Sequence, residues 1–576
     1  MQTTASPQVT AVASQPSAGR ERVQRGIILF LIFVVCSALI IDLDRPPRPS
    51  GDQAPLFEFS AGRALKHLAV ISRVPHAIHS PENAAVRDYI VRTLRELGLD
   101  PQIQQASVAN RLGIRTAVEN IVCRLKGSSQ EKAVLFVAHY DSVPTGPGAS
   151  DDGAAVAAFL ESARALKTGP QLKRDIIFLF TDGEERGLLG ATAFVAEHPW
   201  VHDAGVVLNF EARGIGGPSI MFETSNENGW LISNFGQAAS HPVANSLSYE
   251  IYKRLPNNTD FTVFRKAGYS GLNFAYIDGL AYYHTSGDSI ENIDAGSLQQ
   301  HGDYVLEMAR QFGNAASNDP RPANAVYFDV LGMFLVRYAQ TTAIVVLVLT
   351  AVLLAFALYR GVRAGNLRVG ASLLGVVAMI VGVALAVICA EGVSRIVYAI
   401  AGPGIRKGLM YHGGWYILAY SAIGLACAAA LYVPVSKWIG SANLVAGILL
   451  GWLVVTIAVS VYFPGGAYLF LWPLLFSLIG WSTVFAKPQA QAKPGYILPA
   501  LGALPALLLL VPMAHNIFSA FAAQSTMFVS VFAGLLLSLL IGSIGPETMP
   551  RRWMLPCLLG AAAVGLFAGA IVVSGS

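Results

Sequence analysis

Eight long apolar runs in the C-terminal part of this 576-residue chain constrain its fold more than any other feature. Each run is close to the ~20 apolar residues with which an α-helix crosses the hydrocarbon core of a bilayer. We therefore predict an eight-helix transmembrane domain over residues 339–576. The predicted spans are residues 339–358, 369–389, 414–431, 442–462, 468–485, 496–512, 527–544 and 555–573.

A shorter apolar run near the N-terminus predicts a ninth span, over residues 26–43. The run follows three closely spaced arginines, as the apolar part of a signal sequence does. The sequence directly after it lacks the small residues of a cleavage site, which favours a retained membrane anchor over a cleaved signal peptide. The polar residues 1–25 before it are predicted to form a disordered cytoplasmic tail.

Between these membrane segments, residues 57–324 have the pattern of a soluble α/β domain. Charged residues make up 13% of the whole chain, against about 25% in soluble proteins, but that average combines an apolar part with a domain of mixed charge. Continuous apolar strands predict a mostly parallel sheet covered on both faces. Their alternation with helices predicts three α/β/α layers. The candidate strands are residues 120–125, 133–139, 175–181, 205–210, 219–222 and 271–275, and the candidate helices are residues 81–97, 153–166, 187–197, 229–239, 260–266 and 295–312.

Potential metal ligands in this domain follow β-like apolar runs. An open α/β sheet binds its ligands in the crevice beyond the carboxyl ends of the strands, so these side chains are expected to meet there. Imidazole and carboxylate together suit Zn²⁺ better than Mg²⁺ or Ca²⁺, which prefer oxygen alone. Two metals held ~3.5–4 Å apart require a bridging carboxylate, and the set is large enough to supply one. The candidates are His139, Asp141, Asp151, Glu184, Glu185, Glu211 and His284.

Taken singly, each of these residues has an ordinary structural explanation. An acidic residue at a strand end is usually a cap or a turn former, as Asp182-Gly183 would be. It is their joint appearance in this order that predicts a two-metal hydrolytic centre. Adjacent residues leaving a strand point in different directions. One carboxylate of the pair Glu184 and Glu185 can therefore bind metal while the other serves as general base.

The order H-x-D, D-D-G, E-E, D/E, H resembles the M28 family of zinc metallopeptidases. Residues 73–100 are similar to the opening helix of that family. Residues 327–338 are similar to the junction that precedes the membrane part in its endoplasmic-reticulum and vacuolar membrane branch. The resemblance extends over roughly residues 57–338.

The resemblance implies a role for each ligand. His139 and Glu211 would complete the coordination of one zinc ion, and Glu185 and His284 that of the other. Asp151 would bridge both ions. Many soluble members of the family have Asp at the position of Glu211, so the resemblance implies a ligand with a longer side chain here.

It also implies roles for residues around the ligands. Glu184 would be the general base, and Asp141 would orient the imidazole of His139, as ligand histidines usually require. Asp260, with the segment before it, and the neighbouring Tyr282 and Tyr283 would shape the substrate pocket.

The function implied is that of a membrane-bound zinc exopeptidase with two zinc ions. An aminopeptidase is favoured, since a free substrate α-amine can bind to a zinc ion or to nearby carboxylates. Three alternatives remain: a single-zinc, glutaminyl-cyclase-like acyltransferase, a non-catalytic receptor, and a transporter with a peptidase-like domain. The complete ligand set argues against the first two. The scarcity of ionisable residues at mid-membrane depth argues against the third, since Glu391, Arg395 and His515 lie at the ends of predicted spans.

The distribution of basic residues predicts the orientation in the membrane. With a cytoplasmic N-terminus, the cytoplasmic loops hold more Lys and Arg than the opposite loops, as the positive-inside rule requires. The peptidase domain would then face the periplasm of a bacterium, or the lumen of the endoplasmic reticulum or vacuole. The formal charge of +4 without a clustered basic face gives no indication of nucleic-acid binding. The cytoplasmic set is Arg360, Arg363, Arg368, Lys437, Lys487, Lys493, Arg551 and Arg552, and the opposite set is Arg395, Arg406 and Lys407.

Overall fold

A computed structural model describes residues 17–109, 113, 115–315, 322–400, 413–486, 497–545 and 553–575 of the chain. They form an α/β domain that stands on a bundle of long apolar helices. The segments that hold Arg406, Lys407, Lys487, Lys493, Arg551 and Arg552, the first part of the predicted tail and the C-terminal Ser576 lie outside the described residues.

A seven-stranded mixed sheet forms the centre of the α/β domain, in the order β1-β2-β4-β3-β5-β7-β6. The four strands β4, β3, β5 and β7 are parallel, and β1, β2 and β6 pair antiparallel at the two edges. The predicted parallel sheet is thus this central block. The strands are β1 (Gln102–Ala109), β2 (Arg115–Leu125), β3 (Ala133–His139), β4 (Ile176–Thr181), β5 (Ala204–Ala212), β6 (Ile220–Thr224) and β7 (Gly271–Tyr276).

Both faces of the sheet are covered, which makes the three predicted layers. On β3, Val134 and Phe136 pack into the large core on one face, and Leu135 and Val137 pack into a smaller core on the other. The strand is therefore buried throughout, which explains its unbroken apolar sequence.

The helices of this domain include the six predicted ones and two more. The additional helices are α2 and α7. The helices are α2 (Ala61–Ile71), α3 (Pro81–Glu96), α4 (Ala155–Thr168), α5 (Leu189–Glu197), α6 (Gly229–Ala238), α7 (Ser246–Tyr252), α8 (Asp260–Lys266) and α9 (Ala295–Asn314). A hairpin of β8 (Ala325–Asp329) and β9 (Leu335–Ala339) then leads into the membrane part.

Nine helical segments among the described residues are long and apolar enough to cross a membrane, and one of them, residues 497–521, consists of two consecutive helices. Each overlaps one of the predicted spans, but α1 begins at Ser17, inside the predicted disordered tail, and α11 extends to Ile400, beyond the predicted end at residue 389. They are α1 (Ser17–Leu43), α10 (Gln340–Arg363), α11 (Val369–Ile400), α12 (Gly413–Ile439), α13 (Ser441–Tyr462), α14 (Tyr468–Phe485), the pair α15 (Ile497–Gly502) and α16 (Leu504–Phe521), α17 (Thr526–Ile544) and α18 (Met554–Gly575).

The turn between α13 and α14 contacts the α/β domain. Ser246 Oγ donates to Gly465 O at 2.6 Å, and Arg254 Nη2 donates to Tyr462 O at 3.1 Å. At the opposite ends of these helices, Arg368 N donates to Asn443 Oδ1 at 2.7 Å, and Asn366 Nδ2 donates to Phe485 O at 2.9 Å. The two helices therefore run from one end of the bundle to the other and back.

Candidate active site

The carboxyl ends of three parallel strands bring the candidate residues together. His139 is the last residue of β3, and Glu211 is the penultimate residue of β5. Thr181 ends β4 and is followed closely by Glu184 and Glu185. Because β3 pairs in parallel with both β4 and β5, the three strand ends lie side by side at one edge of the sheet.

Asp151 lies between the two histidines. Its Oδ1 is 3.3 Å from His139 Nε2, and its Oδ2 is 3.0 Å from His284 Nε2. Glu211 Oε2 lies 3.7 Å from the same nitrogen of His139, and Glu185 Oε1 lies 3.0 Å from that of His284. The two oxygens of one carboxylate thus face two separate imidazole–carboxylate pairs, which is the arrangement that a bridging ligand needs.

A wide turn, Ala149–Ala154, presents Asp151 before α4 begins. Gly148 precedes it with φ +62°, and a Cβ at this position would lie 2.7 Å from Asp151 O, so glycine suits it both conformationally and sterically. Asp288, which was not among the predicted residues, accepts from Ser150 N at 2.7 Å and Asp151 N at 3.2 Å.

Asp152 is a second residue that the sequence reasoning left without a role. One oxygen of Asp152 groups with ligand atoms of His139 and Glu211 within 4.8 Å of one another. Its Oδ2 accepts from His139 N at 3.2 Å, while its Oδ1 is buried without a hydrogen-bond partner among the described residues. Asp152 thus supports the end of β3 and brings one more carboxylate to the centre.

His284 has a left-handed backbone conformation, with φ +58°. Non-glycine residues adopt this conformation rarely, and it costs of order 1–3 kcal/mol, so the surroundings must hold it. Thr145 Oγ1 donates to His284 O at 2.8 Å, and the Tyr283 ring stacks on the imidazole with centroids 3.7 Å apart. The loop after β7 is thereby held with the imidazole turned toward Asp151.

Asp141 connects the end of β3 to the two glutamates. Its carboxylate accepts from the main-chain N–H groups of Gly183 at 2.8 Å, Glu184 at 3.1 Å and Glu185 at 3.4 Å. The imidazole of His139 donates from Nδ1 to the main-chain oxygen of Asp141 at 2.9 Å, and the carboxylate Oδ1 is farther away, at 3.6 Å. The main chain of Asp141 thus holds the imidazole, and its carboxylate holds the turn that carries Glu184 and Glu185.

The site concentrates negative charge in a buried place. Burial, reinforced by the charge of Glu211, raises the pKa of Glu184 well above its usual range, and burial raises the pKa of Glu211 to about 8. Burial alone would lower the pKa of His284, but its bonds to Asp151 and Glu185 raise that pKa to about 9. Glu185 Oε1 is buried and lies 3.0 Å from His284 Nε2. A buried set of nitrogen and oxygen donors with excess negative charge fits divalent zinc.

A cavity of about 400 Å³ opens next to these residues, a volume within the usual range for small-molecule sites. Asp151, Glu184, Glu211 and Tyr283 are among the residues that line it. The segment before α8 also lines it, through Asn257, Asn258 and Thr259.

Two of the three residues predicted to shape the pocket lie elsewhere. Asp260 is buried, accepts a hydrogen bond from the Thr181 hydroxyl and is not among the residues that line the cavity. Tyr282 is likewise not among the lining residues; its ring lies beside Gly287. The lining instead includes Arg213 and part of the membrane helix α16, which the sequence reasoning did not include.

Residues 120–309 of the chain match peptidase family M28. The chain is 33% identical to human endoplasmic reticulum metallopeptidase 1 over 307 residues, which is 49% of this chain and 34% of that protein. It is 33% identical to the vacuolar membrane protease of Yarrowia lipolytica over 316 residues, 50% of this chain and 31% of that protein. The matched part thus spans about a third of the length of these relatives.

Two solved structures resemble the α/β domain. Porphyromonas gingivalis glutaminyl cyclase is 22% identical with a TM-score of 0.37, and the match covers 43% of this chain and 96% of that chain. BSAP, a zinc aminopeptidase from Bacillus subtilis, is 17% identical with a TM-score of 0.38, and the match covers 46% of this chain and 98% of that chain.

Proposed function

We propose that this chain, which carries a zinc peptidase domain of family M28, is a membrane-bound exopeptidase of the aminopeptidase type with two zinc ions. The observation that carries the proposal is the position of Asp151, whose two carboxylate oxygens face two different histidines at 3.3 and 3.0 Å. Peptides are the proposed substrates, and the lipid bilayer surrounds the helical part.

In this proposal the distances between the imidazoles and the carboxylates assign each ligand to one of two zinc ions. His139 and Glu211 hold one zinc ion, Glu185 and His284 hold the other, and Asp151 is shared between them. Zinc in such a centre lowers the pKa of a bound water toward ~7 and polarises the scissile carbonyl.

Glu184 is the proposed general base. It lines the cavity beside Asp151 and Glu211, and burial near other carboxylates raises the pKa of its carboxyl group, which makes the carboxylate a stronger proton acceptor. The Glu184 carboxylate takes a proton from the attacking water and then, as the acid, gives it to the leaving amine of the peptide. The hydrogen bond from Glu184 N to Asp141 fixes the main chain from which this side chain projects.

A free amino terminus is the group that we propose the site recognises. Of the described residues that line the cavity, three are carboxylates, Asp151, Glu184 and Glu211, and one, Arg213, is a cation. Asp151 and Glu211 would be zinc ligands, so the charge of the ions would balance theirs. A free substrate α-amine can bind to a zinc ion or to a nearby carboxylate, which supports the aminopeptidase proposal.

The test combines zinc analysis with a pair of matched substrates. The purified full-length protein is expected to hold two zinc ions per chain, to cleave aminoacyl arylamides and to leave the N-acetylated forms intact. Chelators should abolish the activity, and His139→Ala and His284→Ala should each lower zinc content. One tightly bound zinc ion with full activity would instead favour a single-zinc acyltransferase. Cleavage of the N-acetylated forms at the same rate would contradict the aminopeptidase assignment.

A further inference from the structure

The cavity beside the candidate active site is built partly by a membrane helix. Met513, Asn516, Ile517 and Ala520 of α16 line it together with the residues of the α/β domain. Their spacing is i, i+3, i+4, i+7, so they form one continuous face along the last two turns of the helix. The face as a whole, and not a single side chain, borders the cavity.

The α/β domain supplies apolar walls to the same cavity. Phe222, Ile251, Tyr252 and Leu255 line it, and so do Glu184 and two of the proposed zinc ligands. An apolar space that adjoins a general base suits a peptide whose scissile bond lies at the carboxylates and whose apolar side chain is buried away from water.

Two polar contacts hold the end of α16 against the strand ends that form the site. Arg213, two residues after Glu211, donates from Nη1 to Ala520 O at 3.4 Å. His515 Nε2 lies 3.8 Å from Asp278 Oδ2, in the loop that follows β7. The end of the helix therefore contacts the segments that directly follow β5 and β7, close to Glu211 in β5 and to the loop that carries His284.

We propose that the last two turns of α16 form a specificity-determining wall of the substrate pocket, which receives an apolar side chain of the peptide. This inference rests on the proposed function, because the substrate is taken to be a peptide cleaved beside Glu184. A membrane helix then selects the substrate by the size of that side chain. Asn516 is the polar residue of this face, and Ile517 and Ala520 set the width of the pocket.

The first experiment changes the width of the pocket in both directions. Ala520→Leu adds volume to the wall and is expected to reduce kcat/KM for leucyl and phenylalanyl arylamides by at least about 10-fold, the scale on which apolar pockets discriminate by size. The alanyl arylamide should be affected less than about 3-fold. Ile517→Ala should shift the preference from leucyl toward phenylalanyl substrates.

The matched control is Ala514→Leu, the same change on the same helix. Ala514 is half-buried, packs in the core of the helical part and does not line the cavity. It should leave the ratio between the three substrates as in the parent protein. Zinc content is measured in all variants, since a change confined to the pocket wall leaves it unchanged.

A second measurement does not depend on hydrolysis. Alkyl hydroxamates of increasing chain length, which bind zinc through the hydroxamate group, are titrated calorimetrically into the full-length protein. Ala520→Leu should weaken the binding of hexyl hydroxamate at least about 10-fold and that of acetohydroxamate little, and Ala514→Leu should weaken neither.

The outcomes separate this inference from the proposed function. A protein that cleaves no aminoacyl substrate but shows the predicted chain-length effect would refute the aminopeptidase proposal and support the role of α16. Unchanged substrate ratios and unchanged hydroxamate selectivity in both Ala520→Leu and Ile517→Ala would overturn the role of α16. A protein that neither cleaves the substrates nor binds any hydroxamate would overturn both.

Discussion

Individual residues around the site hold their neighbours through both side-chain and main-chain hydrogen bonds. Asp141 holds the imidazole of His139 with its main-chain oxygen and the Glu184–Glu185 turn with its carboxylate. Asp288 holds the turn that presents Asp151. A carboxylate that accepts main-chain N–H groups fixes the backbone itself, and the side chains that project from that backbone gain a defined direction.

Substitutions of Glu184 and Glu185 should affect catalysis and metal binding differently. Glu184→Gln removes the proposed base but leaves the proposed ligands, so zinc content should be unchanged while kcat falls by about 10²–10⁴-fold. Glu185→Gln should lower zinc content as well, because the amide is a poorer ligand than the carboxylate. Metal analysis and steady-state kinetics on the same preparations decide the matter. Near-normal turnover by Glu184→Gln would show that the base is another residue.

Asp141→Asn tests the connection between the end of β3 and the turn that carries Glu184 and Glu185. The amide keeps one acceptor oxygen and places an NH₂ group where a main-chain N–H now points, so the turn loses at least one of its hydrogen bonds. We expect a 10–100-fold loss in zinc affinity or activity, as for other supports of metal ligands. Zinc titration of the chelated protein measures it, with the exposed Asp88→Asn as control. Values within twofold of the parent would show that the Asp141 carboxylate is dispensable.

At the scale of secondary-structure elements, the junction between the two parts of the chain buries acidic side chains. Asp44 directly follows α1, and Asp329 ends β8; both line a small cavity beside α16. Burial, followed by the nearby charges of Asp329 and Asp278, raises the pKa of Asp44 to about 8. The junction therefore favours the protonated form of Asp44.

The free energy of unfolding should therefore depend on pH through Asp44. The pKa of Asp44 is about 8 in the folded protein against an ordinary 3.8, so the folded state binds the proton more tightly than the unfolded state. Stability is then lost as pH rises from about 4 to about 8. Asp44→Asn should raise the apparent Tm by at least about 2 °C at pH 8, and by less at pH 5.

The control for this effect is Asp42→Asn, which changes the exposed member of the same segment, paired with Arg45. Differential scanning fluorimetry of both variants and the parent, in one detergent and across that pH range, gives the comparison. An equal effect of Asp44→Asn at pH 5 and pH 8 would contradict a protonated Asp44 in the folded protein.

At the scale of the whole molecule, the helices place the described basic residues of the predicted cytoplasmic loops at one end of the bundle. Arg360 and Arg363 lie in the last turn of α10, and Lys437 lies in that of α12. The turn at Pro464–Gly466 lies at the other end, against Ser246 of the α/β domain. The described basic loops and the α/β domain are therefore at opposite ends, which agrees with the arrangement that the positive-inside rule requires.

Topology reporters should show the two ends on opposite sides of the membrane. Fusions at Lys437, Gln489 and Arg552 are expected to report the cytoplasm, since the basic loops stay on that side. Fusions at Ser576 and Tyr327 are expected to report the opposite side. A cytoplasmic signal at Ser576 would contradict nine crossings, and one at Tyr327 would also contradict an exported peptidase.

The sequence alone was sufficient for features that depend on neighbouring residues. The apolar spans were predicted because bilayer thickness sets the length of a helix. The central strands were predicted because a strand buried on both faces is apolar throughout. β1 was not predicted, because it is an edge strand with five of its eight residues exposed and a Gln-rich sequence.

That the candidate ligands lie close together could be predicted from sequence because each lies at or after the end of a strand, and parallel strands end at the same edge of a sheet. The supporting roles of Asp288 and Asp152 could not, since a carboxylate that receives main-chain N–H groups has no sequence pattern of its own. Only the tertiary structure shows that one face of α16 lies beside Glu184. About 330 residues separate the two, and an apolar helix carries no local signal that distinguishes a face turned to lipid from one turned to a substrate cavity; only packing decides which it is.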